Sequence, residues 1–368
     1  MTKPFPQPRN TGQVRPRIVF AGAGHAGLIA LAALHRTGNL NADVTLVSAG
    51  DHAHYSGMVP GWIEGLYAQR DMAIPLAPLA ARWRLCLKVA IIEGADDNAL
   101  HTSQGPVPFD LLVINTGADA ARPAPLDAET VIPAKPFSTL IKGLSPRLDT
   151  AASFAVIGGG VAGVEVALAL ATRRPDASVT LVERGPTIAP ALPPSARART
   201  ARHMRRRGIT ILRRATVTGV SKGTLHLEGR DVPAEVCLAF TGAAPQAWLA
   251  HTPFARHSDG FFSACDSLQS VSHPNVLIAG DAGTRVDDPR PKAGVFSVRT
   301  GPLLAKAVRR WSANDPLQTA PLQRNSLILV STGERSAIGT RNGVVMEGRW
   351  VWRWKNHLDR AFVDQFKD

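Results

Sequence analysis

Cysteine is scarce in this chain of 368 residues, and the three present (Cys86, Cys237 and Cys265) form no CxxC or other close pair. That excludes a disulfide scaffold, a zinc ribbon and a dithiol redox centre built from neighbouring thiols, and it fits a reducing, intracellular setting. No apolar run approaches the roughly 20 residues of a membrane span. The longest such stretch, Ile18 to Leu34, is broken by glycines and by His25, so it reads as strand, turn and helix. The opening residues carry prolines and positive charge but no apolar signal-peptide core. Residues 1–16 are therefore expected to be a disordered tail, and the chain is expected in the cytoplasm, at most at the inner face of the membrane. Acidic residues are also short: 29 Asp and Glu face 42 Lys and Arg, a net charge of +13. Anionic partners follow from that imbalance, whether nucleotides, nucleic acid or an acidic membrane surface. What the chain has in plenty is core-forming material, 45% apolar against 19% charged residues. Its length corresponds to roughly two to three globular domains.

An internal repeat organises the sequence. GAGHAGLIALAALHRTGNLNADVTLVS runs from Gly22 to Ser48, and GGGVAGVEVALALATRRPDASVTLVE from Gly158 to Glu183. Each follows a short β-type run (Arg17 to Ala21; Phe154 to Ile157), then gives GxGxxG, an Ala, Leu and Val-rich helix and a second strand, VTLV. A lone GxGxxG is weak, but strand, glycines, helix and strand in order, twice, is a dinucleotide-binding unit in duplicate. The reason is steric and electrostatic. Gly22 permits the tight turn, Gly24 lets the backbone approach a pyrophosphate, and Gly27 lets the helix close onto the sheet; Gly158, Gly160 and Gly163 repeat these roles. The helix N-terminus offers unpaired N–H groups and a positive dipole end to phosphates. Each copy closes with an apolar strand running into Thr-Gly-Ala, FDLLVINTGADA (Phe109 to Ala120) and EVCLAFTGAAP (Glu235 to Pro245), and a third phrase, HPNVLIAGDAG, ends in Gly280-Asp281.

These residues resemble the pyridine nucleotide-disulfide oxidoreductase superfamily, whose members bind FAD on the first unit and NAD(P)H on the second. The phrases TLVSAGDHAHYSGMVPGWIEGLY, PKAGVFSVRTGPLLA and STGERSAIGTRNGVVMEGRWVWRWKNHLDRAF are similar to the flavoprotein branch found alone or fused to selenide water dikinase, which is related to type II NADH dehydrogenases. The resemblance implies an α/β fold of two Rossmann-like domains, one inserted in the other. Residues 17–120 and 245–310 would form the FAD domain, 121–244 the NAD(P)H domain and 311–368 a C-terminal interface segment. Gly22, Gly24 and Gly27 would hold the FAD pyrophosphate, Thr116 and Gly117 would line the FAD, and Asp281, after Gly280, would accept a hydrogen bond from a ribityl hydroxyl. Gly158, Gly160, Gly163 and Glu183 would hold the nicotinamide coenzyme.

One departure concerns the end of the first VTLV strand, where many relatives have Glu or Asp for the adenosine ribose and this chain has Ser48. An uncharged hydroxyl makes a weaker bond there, by a factor of about two, leaving more to the backbone and to Asp51. The same place in the second unit is Glu183, whose carboxylate repels a 2′-phosphate and favours NADH. Arg184, with Arg173 and Arg174, keeps NADPH open as the alternative.

Disulfide reductases of this superfamily place a CxxxxC pair just after the FAD ribose strand, where this chain reads His52 to Pro60 without a cysteine. Electrons are therefore expected to leave directly from the flavin. Lys292, at the start of a helix reaching about Arg310, is a candidate to face the charge that develops on the flavin N1–C2=O edge. Glu165 is either a neighbour of the nicotinamide or of a flavin edge, or a first-turn residue compensating the helix dipole. His54 and Tyr55 are candidates for gating or proton delivery to an acceptor. His52 and His54 alone make no metal site.

The basic run Arg197 to Arg214 lacks interleaved aromatics and reads as a solvated helical face, so nucleic acid is not the expected partner. Val351, Trp354, Leu358, Phe362 and Phe366 follow helical spacing with arginine and lysine around them. That stripe serves either a peripheral membrane contact, or packing on the FAD domain, or a homodimer. The function expected is an FAD-dependent NAD(P)H:acceptor oxidoreductase with a quinone or other small acceptor. The alternative is a slow-turnover flavoprotein whose main role is to bind a protein or nucleic-acid partner through its basic surface.

Overall fold

The computed structural model describes residues 15–38, 40–121, 130–319 and 326–367. The tail expected over residues 1–16 lies outside them except for its last two positions. Two five-stranded sheets, each wholly parallel, carry the molecule. The first has the order Val276–Ile278, Leu111–Ile114, Arg17–Ala21, Asp43–Ser48, Cys86–Val89. The second has the order Val131–Pro133, Val236–Ala239, Ser153–Ile157, Ser178–Glu183, Thr210–Arg213. Their central strands are buried on both faces, as the near-continuous apolar runs of parallel strands require.

Alternate side chains serve different layers. Ile18, Phe20, Leu111 and Val113 join the helical core, whereas Val19, Ala21, Leu112 and Ile114 pack with Leu100, Val107, Trp248 and Phe262 on the other side. That second cover includes a small antiparallel sheet, Ile92–Ala95, Ala99–Thr102 and Val107–Pro108. The other five-stranded sheet is built likewise: Phe154 and Val156 face helices, and Ala155, Ile157 and Cys237 face the antiparallel sheet Val217–Ser221, Thr224–Leu227, Arg230–Pro233. The chain passes between the two sheets on the antiparallel pair Asp119–Ala120 and Ala243–Ala244.

The two glycine turns lead into helices His25–Arg36 and Val161–Arg173. The first packs against the helix Gly294–Ser312 so closely that a Cβ on Gly301 would stand 2.5 Å from Ile29 Cβ. The C-terminal segment forms an antiparallel sheet, Ile328–Gly333, Ser336–Arg341 and Val344–Gly348, and the helix Arg349–Asp364. Its first strand lies on the helix Val161–Arg173, and its last helix lies on the middle strand.

That last helix differs from its expected stripe. Val351, Phe362 and Phe366 are buried, but Leu358 is 42% exposed, and the inner positions between them are Lys355 and Asp359. An ion pair with Nζ–Oδ2 at 2.6 Å lets these two charged residues enter where Trp354 and Leu358 were expected. The basic run also departs from a solvated face. Helix Pro194–Arg206 buries Ala196, Thr200 and Met204, while Arg199 and His203 reach Glu347 at 3.0 and 2.7 Å.

One buried side chain ties the first sheet to its turns. Asn115, 2% exposed, accepts the Gly27 N–H at Oδ1 (2.7 Å) and donates from Nδ2 to the Ala279 carbonyl (2.9 Å). Asn115→Ala strands both partners, at about 1–3 kcal/mol each. Urea unfolding is expected to show a loss of about 2–5 kcal/mol, and an unchanged midpoint would mean that the Gly27 N–H and the Ala279 carbonyl find other partners.

Candidate functional site

The first glycine turn sits where three strands end side by side. Gly22 has φ +93°, and a Cβ there would come within 2.5 Å of Thr116 Cα; one on Gly24 would meet Asn115 O and Oδ1 at 2.4 Å. Gly280, with φ +69°, faces the same amide, 2.8 Å from Asn115 Nδ2 to a hypothetical Cβ. The structure therefore gathers Gly22, Gly24, Gly27 and Gly280 around Asn115 and Thr116, with Gly117 and Asp281 following next in the chain. Gly24 caps the helix His25–Arg36 without a side-chain cap of its own, and since only the Gly27 N–H of the first turn is taken up by Asn115, the His25 and Ala26 N–H groups remain for an anion. Helix Gly294–Ser312 also starts without a side-chain cap, and a Cβ on Gly294 would stand 3.8 Å from His25 Nδ1 and Ser56 Oγ. Thr116 Oγ1 is buried with no hydrogen-bond partner, an acceptor or donor left for a bound molecule. A cradle that excludes any Cβ, two uncapped helix starts and an orphaned hydroxyl fit the pyrophosphate and ribityl chain of FAD. Ser48 is buried at the end of its strand, and Asp51 is engaged with His52 Nδ1 at 2.8 Å.

The second turn is built differently. Gly158 (φ +110°) would press a Cβ to 2.2 Å from the Phe240 carbonyl oxygen, and Gly163 would press one to 2.1 Å from the Gly158 oxygen. Around a Cβ on Gly160 there is nothing within 4 Å, so this backbone faces open space at an uncapped helix start. Glu183 turns its carboxylate onto the turn, accepting the Gly159 N–H at 2.6 Å and the Gly185 N–H. Arg173 and Arg174 lie at the far end of helix Val161–Arg173, about 20 Å along its axis, and are committed to Asp149 and Asp176. Of the three arginines considered for a 2′-phosphate, only Arg184, exposed beside Glu183, stays near the turn.

Asp281 is not a bare carboxylate. Lys135 Nζ stands 2.7 Å from its Oδ2, and the Ser297 hydroxyl is 3.5 Å from Oδ1. Lys292 lines the same cavity as Gly280 and Asp281; it donates to the Gly283 carbonyl and to Thr284 Oγ1 and lies 4.1 Å above the Phe261 ring. Burial lowers its ammonium pKa.

A third group joins the strand His52–His54 to the C-terminal helix. Tyr55 stacks on Phe362 at 4.2 Å, with His25 against both rings, and donates its hydroxyl to Asp359 Oδ1 at 3.2 Å. Lys355 donates to Asp359 and to the Gly57 carbonyl (2.7 Å). Burial works against the Lys355 charge, but Asp359 and Glu165 outweigh it and hold the ammonium above its ordinary pKa. Burial pushes the Tyr55 phenol up and lowers the imidazoles of His25 and His54. Glu165, which accepts the Ser331 N–H at 2.7 Å, is pushed up to about 7 by burial, as is Glu64. The carboxyls of Glu165 and Glu64 are thus the groups of this cluster raised into the neutral range. Cys237 lies apart within a strand, its thiol pushed up to about 11 by burial.

Sequence reasoning missed Asn115, Lys135, His25, Lys355 and Asp359 as site residues. For Asn115 a signal existed: the second Thr-Gly phrase has Phe240 where the first has Asn115, so a polar residue replaces an apolar one in otherwise matched strands. Lys355 and Asp359 have i, i+4 spacing on the helix, hidden by the aromatic stripe.

The family model described as pyridine nucleotide-disulphide oxidoreductase matches residues 16–302. An NADH dehydrogenase-like protein of Mycobacterium tuberculosis is 28% identical over 302 residues, 74% of each chain. Demethylphylloquinone reductase NdbB of Synechocystis is 23% identical over 289 residues, 73% of this chain and 72% of that one. Among solved structures, the sulfide:quinone oxidoreductase of Aquifex aeolicus superposes with a TM-score of 0.82 at 17% identity, covering 95% of this chain and 91% of its own.

Two outcomes are expected of the buried charges. Asp359→Leu leaves Lys355 without its partner and destabilises the protein by about 3–5 kcal/mol, and adding Lys355→Met restores most of the loss; equal loss in both variants, read by urea unfolding, would show that the helix depends on packing alone. Glu64 and Glu165 have raised pKa values, so the folded protein keeps protons that the unfolded chain releases between 4.5 and about 7. Their contribution to stability falls as pH rises through that window. Glu165→Gln therefore gains in Tm relative to wild type between pH 5 and pH 8.

Proposed function

The chain belongs to the pyridine nucleotide-disulphide oxidoreductase family, and we propose that this FAD-dependent enzyme passes electrons from NADH to a quinone without a redox-active cysteine pair. In this reading residues 17–120 and 245–310 carry FAD, 121–244 bind NADH, and 311–368 cover the flavin side. The observation that carries it is the pair of unlike glycine turns: the first backed by Asn115 and Asp281, the second open at Gly160 and edged by Glu183. FAD supplies the two-electron chemistry when bound, accepting a hydride from the nicotinamide.

The protein's work is positioning. Gly22, Gly24 and Gly27 shape the turn so that the uncapped start of the helix His25–Arg36 can approach the pyrophosphate, Thr116 and Asp281 offer hydrogen-bonding groups to the ribityl chain, and the helix from Gly294 would point its positive end toward the flavin. Gly158, Gly160 and Gly163 do for NADH what the first turn does for FAD. Glu165, its carboxyl raised toward neutral pH, would give a proton to an acceptor, with Tyr55 held by Asp359 near it. The name of the Synechocystis relative supports a quinone as that acceptor. The outward face of the last helix supports delivery from an anionic membrane surface, since Trp350, Leu358, Arg349, Arg353 and Arg360 are exposed. Among the described residues no helix is long and apolar enough to cross a membrane. The alternative of a partner-binding flavoprotein draws less support, because Arg199 and His203 of the basic run are spent on Glu347 within the chain.

Purified protein is expected to be yellow, to bleach promptly with NADH under anaerobic conditions, and to turn over with a quinone. Protein without flavin absorbance that gains none from added FAD would overturn this reading. Bleaching over minutes into a persistent charge-transfer complex would favour the binding role.

Coenzyme choice follows from Glu183. Its carboxylate, held by the Gly159 and Gly185 N–H groups, meets free ribose hydroxyls favourably and a 2′-phosphate as like charge. NADH is expected to exceed NADPH in kcat/KM, and Glu183→Ala to narrow the ratio mainly through KM, because the ribose is remote from the hydride. Steady-state rates with both coenzymes decide it, a clear NADPH preference pointing instead to Arg184.

A further inference from the structure

We propose that Lys135 is the cation that sets the electron affinity of the bound flavin, acting as a positioning residue through Asp281; this rests on the FAD reading above. Lys135 follows the strand Val131–Pro133 of the second sheet, whereas Asp281 follows the strand Val276–Ile278 of the first. The pair thus spans the two halves of the molecule, 146 residues apart, with Nζ–Oδ2 at 2.7 Å. Both side chains are sheltered, 28% and 12% exposed, so water screens the pair less than it would a surface ion pair.

The carboxylate has room for both tasks. Two oxygens offer about four lone-pair positions; Lys135 takes one, and Ser297 makes only a long contact at 3.5 Å. Asp281 can therefore keep Lys135 while accepting a hydroxyl from the ribityl chain, which brings the ammonium into the flavin's surroundings. The other lysine of this region is spoken for: Lys292 is held on the Gly283 carbonyl and the Thr284 hydroxyl, above Phe261. Those two oxygens fix its position but are neutral, so its charge also reaches Asp259 and Asp281 at longer range, whereas Lys135 is the lysine that contacts the Asp281 carboxylate directly.

A hydride brings two electrons and one proton, so the flavin gains one unit of negative charge when NADH becomes NAD⁺. A nearby ammonium favours that gain, and a nearby carboxylate opposes it. In the Lys135–Asp281 pair the two effects largely cancel, and removing either partner releases the other. The substitutions therefore carry opposite signs. Lys135→Gln leaves Asp281 uncompensated and lowers the flavin midpoint potential; Asp281→Asn leaves Lys135 uncompensated and raises it.

The test is the midpoint potential of holoprotein, measured by slow enzymatic reduction against a reference dye, together with FAD dissociation by equilibrium dialysis. Lys135→Gln is expected to shift the oxidised-to-reduced equilibrium at least tenfold toward the oxidised form, about 30 mV for a two-electron couple. Lys135→Arg should return most of the shift, and Asp281→Asn should move the potential upward. A purely structural salt bridge would lower Tm in both variants with no change in potential, which overturns the proposal. So would a drop in Lys292→Gln with none in Lys135→Gln, both measured in saturating FAD should either variant lose flavin during purification. Wild-type protein that binds no FAD sinks the functional reading and this inference together, whereas an unchanged potential in flavin-replete Lys135→Gln sinks this inference alone.

Discussion

The carboxamide of Asn115 is the contact on which the first dinucleotide unit depends. It satisfies the Gly27 N–H at the start of one helix and the Ala279 carbonyl at the end of a strand 164 residues later. A side-chain amide is suited to this because it donates and accepts at once. The three glycines are glycines largely because of it: a Cβ on Gly24 would collide with its oxygen, one on Gly27 would stand 3.0 Å from it, and one on Gly280 would crowd its nitrogen. A backbone amide drawn to Asn115 fixes the height of the helix over the sheet, and so fixes where the remaining N–H groups point.

The second unit solves the same problem with an apolar residue. Phe240 stands in the place of Asn115, and Gly158 and Gly163 close against its carbonyl and its Cβ. The polar work moves to the outer edge of the turn, where Glu183 bridges the Gly159 and Gly185 N–H groups. One unit thus has its hydrogen-bonding anchor underneath the turn, and the other has it beside the turn.

The C-terminal segment brings charge into the interior. Lys355 and Asp359 enter the protein as a pair, with the Tyr55 hydroxyl and the Gly57 carbonyl taking further hydrogen-bonding positions. Each satisfies part of the desolvation cost of the other, and an unpaired charge at that depth would be excluded. Glu165 and Glu64 lie close enough to feel the same ammonium. Their burial raises both carboxyl groups into the neutral range, where an acid can both give and take a proton. The helix that supplies Lys355 and Asp359 also keeps Trp350 and Leu358 outside, so one element serves the buried group and the surface.

Much of the fold was legible in the sequence because it rests on local rules. Glycine spacing follows from steric demands of a tight turn, and alternating or continuous apolar runs follow from which faces a strand buries. The duplicated strand, turn, helix and strand, the Thr-Gly phrases and Gly280-Asp281 all belong to that class, and the structure assembles them around common points. What the sequence could not convey is which buried polar group meets which. Lys135 and Asp281 are 146 residues apart and Tyr55 and Asp359 are 304 apart; neither pairing leaves a periodic trace. Lys292 was read as a cation for the flavin because it precedes a helix; that a carbonyl and a hydroxyl from its own loop fix its ammonium is a contact no spacing announces. The aromatic spacing of the last helix concealed its inner face, because an ion pair can be buried only when docking brings hydrogen-bonding partners around it. Local chemistry determined the turns, the strands and the class of cofactor they cradle. Docking of distant elements alone decided the charges at the site, since a charge in the interior is stable only beside a partner that the tertiary fold supplies.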